Sequence, residues 1–214
     1  YAQCAQAWGQ RNPSVFIDHW VSNGMPRDEV DDVVRESALL AEAVHWFEGP
    51  ELVDPLDEID GWRVEVLRGH SDGHIVLLRD DVMIAGDTLL AGITPAIGVY
   101  PNSRPDPLGD YLVTLARIEE LAPRIAYAGH RERIADPAGR AREIREHHRE
   151  RLDRTQAALR DQPSSAYDVS LELFERTLSP VLRRFATAES LAHLERLVNE
   201  GRAARAGGGY VLAA

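Results

Sequence analysis

Residues 62–90 read WRVEVLRGHSDGHIVLLRDDVMIAGDTLL. WRVEVL alternates apolar and polar positions, as a half-buried strand does, and IVLLR follows as a second strand after the tight loop GHSDGH. Asp80-Asp81 makes a turn, and VMIAGD returns as a third strand that ends on an acid. Three short strands, each ending near Gly, His or Asp, form a scaffold that presents side chains at strand ends. Layered α/β folds place their chemistry at such ends.

Downstream, the Pro- and Gly-rich loop after Asp87 leads to a helix marked by Leu112, Leu115, Ile118 and Leu121 and closed by Pro123. IAYA (125–128) reads as a buried strand ending at Gly129-His130. Asp136-Pro137 is a cap and first-turn pair for a long helix to about Gln162, its inner face carrying Ile144, Leu152 and Leu159. A break at Gln162-Pro163-Ser164-Ser165 divides the chain into domains 1–162 and 163–214. The second reads as a helix (AYDVSLELF), a linker containing Pro180, a helix (TAESLAHLERLVNEG) and two strands joined by Gly207-Gly208-Gly209, the layout of a small winged helix. Upstream, residues 1–10 suggest a short helix and PSVFIDHW a strand. Pro26 starts an amphipathic helix running to about Phe47.

Of 214 residues, 44% are hydrophobic and 28% charged, ordinary values for a folded domain. One cysteine, Cys4, gives neither an internal disulfide nor a thiolate metal site, so a metal here needs His and carboxylate ligands. No signal-peptide pattern or long apolar run is present, and the expected location is cytoplasmic. The net charge of −11 disfavours a surface that tracks phosphates. All 24 basic residues are arginine. Those between Arg131 and Arg154 are interleaved with acids at helical spacing, which reads as a salt-bridged, solvated face.

Three histidine and acid settings stand apart: Gly69-His70-Ser71-Asp72-Gly73-His74 in a loop between strands, and Gly86-Asp87 and Gly129-His130 at strand ends. Imidazole and carboxylate at strand ends, each preceded by a glycine that lets the backbone turn, suit a divalent metal such as zinc. Taken singly each is an ordinary turn. In this order, as HSDGH, GDTLL and GHRER, they resemble the metallo-β-lactamase superfamily. The loop AGITPAIGVYP, the helical HHRERL and the tail resemble its branch of lactamase-like endoribonucleases and thioesterases.

The resemblance implies the C-terminal part of a metallo-β-lactamase αββα sandwich, an α/β fold, with a small winged-helix-like domain. It implies two divalent metals, zinc above manganese or iron, with His70 a ligand of the first, His130 of the second and Asp87 bridging both. His74 matches a position that supports the loop without binding metal. Neighbouring helical residues point about 100° apart, so at most one of His147 and His148 faces the site. His148, on the Ile144 and Leu152 face, is expected to pack or to orient other groups.

The family's H-x-H-x-D-H motif does not occur in these residues. The resemblance places it ahead of Tyr1, so the expectation is a metal site lacking its N-terminal donors. The expected activity is hydrolysis of an ester, thioester or related acyl bond through a metal-activated water, with Asp87 catalytic. The loop after Asp87 and the Pro26–Phe47 stretch are the expected pocket walls. Phosphodiester cleavage of RNA is the alternative, and a non-catalytic winged-helix module a third reading. Glu189, Glu195 and Glu200 against Arg196 make a poor face for a nucleic acid. The expected partner is a small-molecule acyl or thioester substrate, not a membrane, and the tail has a packing or homo-oligomer role.

Overall fold

A computed structural model describes residues 14–41, 53–55 and 57–213. The readings that involve residues 1–10 and the helix end near Phe47 lie outside the described residues.

Five strands form the main sheet: β1 (Glu58–Ile59), β2 (Trp62–Val66), β3 (Ile75–Arg79), β4 (Val82–Gly86) and β5 (Ile125–Ala128), in that spatial order. The first four run antiparallel, and β5 lies parallel to β4. That parallel step needs a crossover, which α3 (Pro107–Leu121) supplies. On one face of the sheet Val76, Leu78, Met83, Ala85 and Ala126 are buried in a core shared with α3 and α4 (Pro137–Ala158), while Arg63 and Glu65 of β2 lie on the same face at its edge, where Glu65 pairs with Arg117 of α3. On the other face Val64, Leu77, Ile84 and Tyr127 share one register row, with Ile84 40% and Tyr127 48% exposed.

Capping chemistry fixes the helix starts. Asp106 and Asp136 each accept a hydrogen bond from the backbone N–H three residues on, with proline at the first helical position. The tail comprises α5 (Ala166–Leu173), α6 (Pro180–Asn199) and the hairpin β6 (Ala203–Ala206) and β7 (Gly209–Leu212). Ser165 opens α5 with a full capping box to Asp168. Pro180 is not in a linker as the sequence suggested. Ser179 caps α6 and Pro180 occupies its first turn, so the helix begins seven residues before Thr187, the expected start.

PSVFIDHW is likewise corrected from strand to helix, α1 (Ser14–Ser22). Phe16, Ile17 and Trp20 fall three and four apart and pack with Met25, and with Val30 and Val33 of α2 (Arg27–Ala41), around Ala188 of α6. A short apolar run does not separate strand from helix by itself, and this helical stripe found a partner. The expected pocket wall changes with it. Val30 and Val33, the apolar face of the first turns of α2, are buried in this cluster and are not free to line a lid.

The main core ignores the division at residue 162. One cluster joins Val76, Met83, Leu115 and Ile144 to Ala166, Val169, Leu191, Leu194, Leu197 and Tyr210. Ser164 pairs with Tyr210 through both backbone bonds, tying the connecting segment to the hairpin. Among the described residues no helix is long and apolar enough to cross a membrane.

Candidate metal centre

Asp87 follows the last residue of β4, and His130 lies two residues beyond β5, so parallel pairing brings them side by side. His70 arrives from the β2–β3 loop. His70 Nε2 lies 3.8 Å from Asp87 Oδ2, and His130 Nε2 lies 3.5 Å from Asp87 Oδ1. The structure therefore brings together all three residues singled out as ligands, with the carboxylate between the two imidazoles.

Two details suit this arrangement to cations. Asp87 Oδ1 is buried and has no hydrogen-bond partner, a costly state for a carboxylate oxygen unless some positive group satisfies it. His70 Nδ1 lies 3.0 Å from the carbonyl of Ala96. A carbonyl only accepts, so Nδ1 carries the proton and Nε2 keeps its lone pair toward Asp87. The approach to Asp87 also requires Gly129. A Cβ there would stand 2.6 Å from Asp87 Oδ1.

No group of three or more His, Cys, Asp or Glu side chains among the described residues can hold a metal ion. His70, Asp87 and His130 by themselves therefore do not make up a complete coordination shell.

His74 is half-buried and donates from Nε2 to the carbonyl of Ala85 at 3.2 Å, so it braces the end of β4 two residues before Asp87. Burial lowers its pKa. His148 is fully buried in α4. Its ring meets Tyr111 edge-on at 5.6 Å, and Tyr111 Oη donates to the carbonyl of Thr88 at 2.9 Å. His148 is thereby two contacts from the residue after Asp87.

The partner of His148 is His193 of α6. His193 Nδ1 donates to Glu189 O at 2.8 Å, which leaves its Nε2 to accept from His148 Nδ1 at 3.2 Å. Both rings are neutral in this arrangement. Burial pushes His148 down to about 2 and His193 down to about 4.

The sign of the pH effect follows. Below pH about 6.5 the unfolded chain takes up two protons that the native rings refuse, so stability falls as pH falls. At about 1.4 kcal/mol per pH unit for each ring, the loss from pH 7 to pH 5 is about 4 kcal/mol. Urea unfolding of wild type and His193→Gln across that range checks it. The variant should lose about half of the pH dependence, and an equal slope in both would dismiss the pair as its source.

Sequence reasoning missed the carbonyl of Ala96 and the residues that hold its loop. Backbone carbonyls leave no signature in a sequence, and no local pattern would have found them.

Comparison with known proteins places the chain in a family. The family model of the metallo-beta-lactamase superfamily matches residues 10–130, and that of the metallo-beta-lactamase-like C-terminal domain matches residues 152–211. This chain belongs to the metallo-beta-lactamase superfamily. It is 31% identical over 155 residues to a Bacillus subtilis (strain 168) protein named as a probable metallo-hydrolase, covering 68% of this chain and 47% of that one.

Among solved structures it is similar to a metallo-beta-lactamase family protein of Thermus thermophilus. That match has 34% identity and a TM-score of 0.81, over 96% of this chain and 66% of the other. A beta-lactamase domain protein of Burkholderia ambifaria matches at 28% identity and a TM-score of 0.80, over 92% of this chain and 61% of that chain. The chain thus spans about half the length of the curated relative, and somewhat under two thirds of each solved one.

Proposed function

We propose that this chain carries part of the site of a metal-dependent hydrolase, on the strength of one observation: Asp87 presents a different carboxylate oxygen to each of two imidazole nitrogens. His70 Nε2 with Asp87 would hold one divalent cation and His130 Nε2 with Asp87 a second. Zinc suits these nitrogen and oxygen donors, with manganese or iron as alternatives. Bound cations would supply Lewis acidity and a nucleophilic water at neutral pH.

The chain's own part is positioning. Ala96 sets the tautomer of His70, His74 braces β4, and Gly129 admits Asp87 to His130.

An ester, thioester or related acyl bond is the proposed substrate class, and the arginines favour it over RNA. The Arg-rich face of α4 is committed: Arg140 to Glu143, Arg142 and Arg145 to Glu119, Arg149 to Glu146 and Asp153, and Arg151 to Glu189. Such pairs cancel the positive field that a polyanion needs. The tail helix offers no better face, because Arg183 is buried on the carbonyls of Ser170 and Glu175, and Arg196 pairs with Asp106 and Glu200. Zinc-loaded full-length protein assayed on acyl esters, acyl thioesters, phosphodiesters and RNA tests the proposal. Cleavage of phosphodiesters alone would transfer the site to the alternative, and cleavage of none would sink the hydrolase reading.

The 214 residues alone are expected to retain fewer than two equivalents of zinc after dialysis. Each cation has at most two donors here, and catalytic zinc sites normally have three. Supplying a segment with the H-x-H-x-D-H motif in cis or in trans should restore binding. Two equivalents held tightly by residues 1–214 would mean that other side chains complete the site.

A further inference from the structure

The loop from Asp87 to α3 has no regular structure along residues 91–100, yet its carbonyls are taken in turn by side chains from elsewhere. Thr88 O accepts from Tyr111 Oη at 2.9 Å, Leu90 O from Arg140 Nε at 2.9 Å and Ile93 O from Arg140 Nη2 at 2.8 Å. Ala96 O accepts from His70 Nδ1 at 3.0 Å and Val99 O from His19 Nε2 at 3.2 Å. Ile97, between the last two, is fully buried.

Arg140 takes two of these carbonyls with one planar group, and its side chain is 18% exposed, unlike its partner Glu143 on the solvent side at 68%. A guanidinium offers donors in a fixed fork, so binding Leu90 and Ile93 together sets the distance and direction between them. From there only three residues lead to Ala96.

We propose that Arg140 is a positioning residue for the metal centre: it holds the loop so that the Ala96 carbonyl meets His70 Nδ1–H and keeps Nε2 free to bind metal. The inference rests on the reading of His70 as a metal donor. The reason is tautomeric. A neutral imidazole carries one proton on either nitrogen, and the hydrogen bond made by one nitrogen decides which. If the loop drifts, the Ala96 acceptor is lost, the proton is free to sit on Nε2, and the nitrogen facing Asp87 no longer has a lone pair to give. Groups that orient a ligating histidine through its second nitrogen typically affect metal affinity about 10–100-fold, and Arg140 acts one step behind such a group. As a mere solvated i,i+3 partner of Glu143, Arg140 would instead contribute little to stability and nothing to His70.

The test uses full-length protein and two readouts besides activity: the tautomer of His70 in the metal-free state by nitrogen-15 NMR, and zinc affinity by competition with a chromophoric chelator. Wild type is expected to show the Nδ1–H form of His70. Arg140→Ala should convert it to a mixture and weaken zinc binding about 10-fold or more. Arg140→Lys, a single-point donor, should fall between the two, and it also serves if the alanine variant fails to fold. Arg202→Ala is the structural control. It removes bonds from Arg202 to Asp153 and Gln156 at the far end of α4, so it should lower thermal stability and leave zinc affinity alone. A wild-type tautomer with zinc affinity within twofold in both Arg140 variants would overturn the inference, as would an equal zinc loss in Arg202→Ala. If His70→Ala leaves zinc affinity unchanged, the failure lies in the metal reading itself and the two cases separate.

Discussion

Asp87→Ala in zinc-loaded full-length protein is expected to lose at least one equivalent of metal and more than about 10²-fold in turnover, because groups that merely orient a ligand already cost up to that much. The fold should not suffer with the function. Asp87 Oδ1 is a buried acceptor without a donor, and deleting such an atom relieves a desolvation cost instead of breaking a bond. The metal-free variant should therefore melt at or above the temperature of the metal-free parent. Metal analysis, kinetics and a thermal scan on the same preparation check all three expectations. Unchanged metal content and turnover would remove Asp87 from the site.

Gly69→Ala is expected to do the reverse, damaging the fold first. Gly69 has φ +131°, a region that L residues avoid, and a Cβ there would lie 2.4 Å from Tyr111 Cβ and 2.8 Å from Tyr111 Cα. The second contact is with helix backbone, so no rotamer change relieves it. Backbone strain and overpacking each cost about 1–3 kcal/mol, giving about 4 kcal/mol together. For a domain of this size that lowers Tm by about 10 °C. His70 is the next residue and Tyr111 holds Thr88, so metal affinity should fall as well. A Tm within about 2 °C of the parent would show that α3 yields more easily than its packing suggests.

The site was legible where residue type and backbone demand coincide. Glycine before His70, Asp87 and His130 marks a chain that must turn sharply to deliver a side chain, and WRVEVL alternates as a half-buried strand must. The cap pair Asp136-Pro137 and the buried face of Ile144 and Leu152 were legible for the same local reason. Long-range pairing was not. His148 finds His193 across forty-five residues, and nothing near either one announces it.

Arg140 sits in a run that reads as solvated, and its neighbours Arg142, Arg145 and Arg149 do pair with acids at the surface. It turns inward because the loop carbonyls offer a better partner than water. Val15, Phe16 and Ile17 suggested a strand through their β-branched and aromatic character, and packing against α2 and Ala188 overrode that propensity.

The unbroken core across residue 162 makes the tail a load shared by the whole chain and not a passenger. Leu191, Leu194 and Leu197 belong to the same buried cluster as Ile144 and Met83, so the two segments share one interior. Backbone amides in the middle of α6 should then exchange with deuterium as slowly as those of β3, since both open only when everything opens. A protease that nicks the connecting segment should leave the two pieces clasped. Grafting this tail onto a distant relative would succeed only if the matching face of α4 travelled with it.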